Sequence, residues 1–97
     1  MYELSYHPLA YKADLKTINP ADQKRIIRTI EKRLSTHPEE FGKPLKGTLR
    51  GYWKLRIGEY RVVYRIEKGE VKVYVILIGY RRNKEVYEEA IKRLGVI

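Results

Sequence analysis

Ninety-seven residues suffice for one domain with a single modest core, and the 43% hydrophobic content marks a folded chain rather than a disordered one. The absence of cysteine excludes a disulfide framework and a cysteine-based zinc site, and two histidines, both preceding prolines, argue against a histidine metal site. The formal net charge of +9 points to nucleic acid or an acidic partner.

In chain order, residues 2–6 are predicted as a short strand, either at a sheet edge or paired with the later strands. Pro8 opens a helix to about Ile18, proline being tolerated at the first helical position. Asn19-Pro20 restarts the chain: Asn caps, Pro starts, and Asp22 favours the first turn. Ile26, Ile27, Ile30 and Leu34 follow at helical spacing to about Thr36, while Lys24, Arg25, Arg28, Lys32 and Arg33 form a basic face that fits solvent or, as the alternative, contact with ribosomal RNA. The two helices make a hairpin. His37 to Lys46 reads as an irregular connection with two prolines, and His7 and His37, at helix or loop starts, are assigned no chemistry.

Three strands are predicted near 49–57, 60–67 and 70–81, with turns at Gly58-Glu59 and Lys68-Gly69. The run Val71 through Ile78 is apolar or Tyr at every position but Lys72, which suits a central strand covered on both sides. Trp53 belongs to the core. Asn83 is placed as the cap of a last helix, with Glu85, Glu88 and Glu89 near its start and Lys92 and Arg93 near its end. Glu88–Lys92 and Glu89–Arg93 are favourable i,i+4 pairs, Val86, Ala90 and Leu94 make the apolar stripe, and Gly95 stops the helix. This order of elements is an α+β architecture, an N-terminal strand and helical hairpin packed on an antiparallel β-meander, within one domain spanning 1–97. Without a basic-then-apolar leader or an apolar run near 20 residues, the expected location is the cytoplasm.

The meander concentrates charge. Residues 1–48 hold nine Lys/Arg against six Asp/Glu, for +3; residues 49–97 hold twelve against six, for +6. Alternate residues of a strand face opposite ways, so Lys54 and Arg56 share one face above Trp53, Leu55 and Ile57. Arg61 and Arg65 likewise oppose Tyr60, Val62, Tyr64 and Ile66; the third strand delivers Arg81, and Tyr87 follows six residues later. Such a cluster repels itself unless an anion, most simply nucleic-acid phosphate, sits on it.

Four segments in order carry a resemblance: Leu45-Lys46-Gly47, then Trp53 through Tyr64 (WKLRIGEYRVVY), then Ile78-Gly79-Tyr80-Arg81, then Glu85-Val86-Tyr87. Together they resemble the RelE toxin family, in the RelE/ParE superfamily of type II toxin–antitoxin systems. The resemblance implies a microbial-RNase-like sheet, ribosome-dependent cleavage of messenger RNA in the ribosomal A site, and neutralisation by a RelB-type antitoxin in a hetero-oligomer. It places Lys54, Arg61, Arg81 and Tyr87 on the family's catalytic positions and Arg56 on a basic position of the same strand. The chain departs from the family pattern at Tyr52, where some members have a second active-site lysine. It departs again at Asn83, another basic position, although Arg82 is adjacent.

The chemistry implied is attack of the RNA 2′-OH on the adjacent phosphate, without metal or cofactor, leaving a 2′,3′-cyclic phosphate and a 5′-OH. Arg61 is assigned to the non-bridging oxygens, because its fork suits phosphate bidentately. Lys54 is assigned to charge near the 2′-oxygen, Arg81 to the leaving oxygen, and Tyr87 to the base or base-orienting role. Arg56, Arg65, Tyr52, Tyr80 and Arg82 are the candidate RNA-binding residues. Plainer roles stand beside these. Tyr87 also fits a core-edge aromatic over Ile91, Tyr52 and Tyr80 fit sheet packing, and Arg65 fits a pair with Glu67. Two other functions fit the same pattern: a ParE-like toxin that blocks DNA gyrase, and a catalytically degenerate module that only binds an antitoxin.

Overall fold

The computed structural model describes residues 1–80 and 85–95. A five-stranded sheet forms the frame. Its strands are β1 (Glu3–Tyr6), β2 (Lys43–Pro44), β3 (Tyr52–Ile57), β4 (Tyr60–Glu67) and β5 (Lys72–Tyr80), in spatial order β1-β5-β4-β3-β2. The meander β3-β4-β5 is antiparallel, and β1 joins β5 in parallel, so the N-terminal strand is both an edge and a meander partner. β5 is thereby central and buried along most of its length, as its apolar run requires.

Helices cover both faces. On the first lie a helical segment after β1 and then α1 (Pro20–Leu34), above Leu55, Ile57, Tyr60, Val62 and Tyr64. On the second lies α3 (Val86–Leu94), above Leu49, Val63, Ile76 and Leu77. One extra residue in β5 sits between the pairs Val63↔Leu77 and Tyr64↔Val75. This bulge lets Ile76 and Leu77 both enter the second cluster. The i,i+4 logic of α1 holds: Ile26, Ile30 and Leu34 are buried, and the Asn19 side chain accepts from Asp22 N–H at 2.9 Å.

Several boundaries differ from expectation. The first helix is a wide π turn over Ala10–Asp14 followed by a 3₁₀ turn over Leu15–Thr17. Its i→i+5 bond, Leu15 N–H to Ala10 O, brings residues five apart onto one side. Ala10 and Leu15 therefore both enter the core. The connection after α1 is not wholly irregular. It contains α2 (Pro38–Phe41) and the two-residue β2, where Pro44 occupies the edge position a proline tolerates. β3 begins only at Tyr52, because a 3₁₀ turn at Gly47–Leu49 and Gly51 at φ 96° precede it. The second hairpin turn extends to Val71, which takes φ 53°, so β5 starts at Lys72. Gly95, at φ 66°, ends α3 by donating to the Ile91 and Lys92 carbonyls. Asn83, the expected cap of α3, lies outside the described residues. Among the described residues no helix is long and apolar enough to cross a membrane.

Candidate active site on the second sheet face

Strand parity puts Tyr52, Lys54 and Arg56 of β3 beside Arg61, Val63 and Arg65 of β4, on the face that also bears α3. Register sharpens this grouping. Arg56 is directly opposite Arg61, Lys54 opposite Val63, and Tyr52 opposite Arg65. A like-charged pair directly across two strands is unfavourable by itself. Arg56 and Arg61 form such a pair at the Gly58 turn end of the hairpin, where Gly58 takes φ 55°.

Tyr87, in the first turn of α3, reaches this group. Arg61 Nη1 donates to the Tyr87 hydroxyl oxygen at 2.6 Å, and the guanidinium carbon stands 5.7 Å from the ring centroid. The ring itself packs half-buried against the second cluster. The core-edge and chemical readings of Tyr87 are thus compatible: packing fixes the ring, and Arg61 fixes the oxygen. Gly79, opposite Arg61 in the register, lets α3 come close. A Cβ there would stand 3.0 Å from Val86 Cγ2.

The remaining predicted residues separate. Arg65 is already engaged, with Nη2 2.7 Å from Glu67 Oε1 and its guanidinium 5.9 and 5.6 Å from the Tyr52 and Tyr74 ring centroids. Tyr52 packs against the second cluster and its hydroxyl takes a long contact, 3.4 Å, from Arg65. Tyr80 is 48% exposed and lies against Tyr60, with centroids 5.0 Å apart. Tyr60 in turn donates to Asp22 at 2.7 Å, which holds the Asp22 carboxyl below its ordinary range, helped by Asn19. The same bond raises the Tyr60 phenol. Trp53 is half-buried against the first cluster. His7 and His37 do stand at helix starts: His7 Nδ1 accepts from Leu9 N–H at 3.1 Å, and His37 precedes α2. Arg81 and Arg82 lie outside the described residues.

A pocket of about 270 Å³ opens beside Lys54, Arg56 and Arg61, and three of its walls are residues the sequence reading passed over: Arg33, Phe41 and Lys43. β2 pairs only Lys43 with Lys54 and Pro44 with Trp53, then the chain turns away at Gly42. Among the described residues no strand pairs the edge of β3 beyond Lys54, and Phe41 of α2 and Arg33 at the end of α1 line the far side. Gly42 is required at this corner, since a Cβ would fall 1.8 Å from the Tyr64 hydroxyl oxygen and 2.9 Å from Lys54 O. Five cations line the pocket, and no acidic residue is among the described residues that do. Arg33 belongs to the basic stripe of α1, which the sequence alone leaves as either a solvated face or a contact for ribosomal RNA. The available signal was Phe41, the lone phenylalanine in a polar connection.

With this geometry in view, known proteins are informative. The family model described as "ParE toxin of type II toxin-antitoxin system, parDE" matches residues 4–85. The Mycobacterium tuberculosis toxin RelG is 30% identical over 72 residues, covering 74% of this chain and 83% of that protein. This chain belongs to the RelE/ParE superfamily of toxins. The mRNA interferase toxin RelE of Escherichia coli is 49% identical over 41 residues, 42% of this chain, so the match spans only 43% of that relative. In fold, the RelBE2 toxin–antitoxin complex of M. tuberculosis contains a chain superimposing with a TM-score of 0.78 at 29% identity. That match covers 82% of this chain and 98% of the other. The RelE/ParE frame accounts for the element order and for the α+β sheet covered on both faces.

Proposed function

We propose that this RelE/ParE member is the toxin of a type II toxin–antitoxin pair and acts as a ribosome-dependent, metal-independent endoribonuclease on messenger RNA in the A site. The observation that carries the reading is the 2.6 Å hydrogen bond from Arg61 to the Tyr87 oxygen, at the border of a pocket that also holds Lys54 and Arg56. The partial match to an mRNA interferase supports the same chemistry.

In the proposed reaction the substrate 2′-oxygen attacks the adjacent phosphorus. The O2′–P bond forms, the P–O5′ bond breaks, and the products are a 2′,3′-cyclic phosphate and a 5′-OH. Arg61 offers a planar fork to the non-bridging oxygens, where charge grows in the transition state. Lys54 stabilises charge near the attacking oxygen. Tyr87, oriented by Arg61, receives or steers the 2′ proton. Arg81 is assigned to the leaving oxygen, which departs with a proton drawn from solvent water, matching the one removed from the 2′-OH. A cognate RelB-type antitoxin is the assigned inhibitor, in line with the complex in which the M. tuberculosis relative was solved.

A ParE-like action on DNA gyrase is the second reading, favoured by the description of the matching family model. The test is induction of the wild-type chain and of Tyr87→Phe, followed by primer extension on translated messages. Phe keeps the ring's packing and loses only the oxygen. New 5′ ends within codons for wild type, absent for Tyr87→Phe at equal folded yield, are expected. Intact messages with accumulation of cleaved gyrase–DNA complexes would instead select the second reading.

A further inference from the structure

The catalytic pocket does not end at Lys54. Lys43 stands directly opposite Lys54 across β2 and β3, a second like-charged cross-strand pair next to Arg56 and Arg61. Beyond it the Arg33 guanidinium lies 5.4 Å from the centroid of Phe41, a ring left 47% exposed. The same two residues also wall a separate groove of about 590 Å³ between α1 and α2, together with Arg28, Lys32 and His37. No acidic residue is among the described residues lining either cavity. Phe41 and Arg33 are therefore the shared wall between the proposed cleavage pocket and a second basic groove.

Cations spaced along a track with an exposed aromatic in the middle match single-stranded nucleic acid. Phosphates meet the cations, and an unstacked base lies on the aromatic or guanidinium plane. From Arg61 on β4, opposite Arg56, to Lys43 on β2, opposite Lys54, is two strand spacings and a two-residue offset along the strands, roughly 12 Å. That reach takes an extended backbone from the scissile phosphate past its immediate neighbour. An acidic peptide would also meet the cations but gains less from a flat, half-exposed ring.

We infer that the messenger strand flanking the cut leaves the catalytic pocket past Lys43, stacks a base on the Arg33–Phe41 platform, and continues into the groove between α1 and α2. This path rests on the ribonuclease reading above. Phe41 and Arg33 are positioning residues in it, not catalytic ones, and the base that stacks there is a point at which cleavage preference can be set.

The test uses translating ribosomes programmed with a message that is 2′-deoxy at the scissile position and carries 4-thiouridine at one flanking nucleotide. Binding and photo-cross-linking are measured for wild type, Phe41→Ala, Phe41→Tyr, Lys43→Ala and Tyr87→Phe. The expected result is a cross-link from the message to the α2 region in wild type, kept in Phe41→Tyr and Tyr87→Phe. Affinity should fall about tenfold in Phe41→Ala, the size of one lost base stack. On cleavable message, Phe41→Ala and Lys43→Ala should raise the half-saturating toxin concentration with the maximal rate within about twofold, whereas Tyr87→Phe should lower the rate alone. A cross-link to ribosomal RNA only, wild-type binding by both Phe41→Ala and Lys43→Ala, or weakening confined to antitoxin binding would each overturn the path. If wild type binds and cross-links as expected yet cuts no message, the catalytic reading fails and the strand path stands.

Discussion

Arg61 and Tyr87 share one hydrogen bond, and that bond makes a quantitative demand on any catalytic role. Arg61→Lys keeps the charge but gives up the planar fork that donates to the Tyr87 oxygen and, in the proposed reaction, to the phosphate. Single-turnover cleavage should fall about 10²-fold, the scale of losing one preorganised donor to a developing oxyanion. Because each residue acts partly through the other, Arg61→Lys/Tyr87→Phe should lose less than the sum of the two singles, with a coupling of about 1 kcal/mol or more. Additive losses would separate the two roles. Tyrosines away from the site set a different expectation. Burial, then Glu31 and Tyr11, push the Tyr6 phenol up to about 12, and burial raises Tyr64 as well. A phenol raised in the folded state adds stability in full below the unfolded value of 10.0 and loses it as pH climbs through the folded one. Unfolding free energy should therefore decline from about pH 10 upward. The buried Tyr6 hydroxyl has no hydrogen-bond partner among the described residues, so Tyr6→Phe should be neutral or stabilising at pH 7 and flatten that alkaline decline. Tyr64→Phe should flatten it too but cost about 1 kcal/mol at pH 7, because Tyr64 donates to Pro38 O at 2.6 Å. Urea titrations at pH 7 and 11 read both effects.

At the scale of elements, each sheet edge is finished by something other than a long strand. Among the described residues β1 pairs β5 only as far as Val75, and no strand continues along the edge of β5 beyond it. An ion pair takes over: Asp14 Oδ2 accepts from Ile78 N–H at 2.9 Å, and Arg93 Nη1 donates to Ile76 O at 3.0 Å. Arg93 and Asp14 also meet bidentately at 2.7 and 3.1 Å, with side chains only 6% and 13% exposed. This pair both protects the edge and ties α3, which carries Tyr87, to the first helical segment. Arg93→Ala strands a buried carboxylate and should cost about 3 kcal/mol or more in urea unfolding, whereas Arg93→Met/Asp14→Asn should recover a large part of it. None of this was legible locally. The sequence placed Arg93 near a helix end beside Glu89, and that contact exists at 4.0 Å, but the dominant partner is 79 residues away. What was legible followed short-range rules: the Asn19 cap, the stripe of α1, the Gly58 hairpin and the parity that groups Lys54, Arg56, Arg61 and Arg65. The two- and four-residue elements around Gly42 are too short to show a period, so the edge pocket and Phe41 stayed hidden in an apparent loop.

For the molecule as a whole, the question is whether its affinity for RNA follows total charge or the placement of charge. The net charge of +9 steers any anion, and its effect fades with salt. Specific phosphate contacts leave a different signature, since each one adds about −0.7 to the slope of log K against log salt for single strands. Arg28 and Lys32 line the basic groove beyond the Arg33–Phe41 platform. Lys68 and Lys72 instead stand 3.2 and 3.7 Å from the carboxylates of Glu39 and Glu70. Replacing either couple by Gln takes the charge from +9 to +7, since 9 − 2 = 7 in both variants. Both should fold as wild type, because exposed ion pairs contribute at most about 1 kcal/mol. Binding to a non-cleavable message on programmed ribosomes, titrated from low to moderate salt, then separates the two ideas. If placement governs, Arg28→Gln/Lys32→Gln should shallow the slope by about 1.4 while Lys68→Gln/Lys72→Gln leaves it unchanged. Equal, small shifts in both variants would make the field of the whole protein the governing term and reduce the basic groove to a solvated surface.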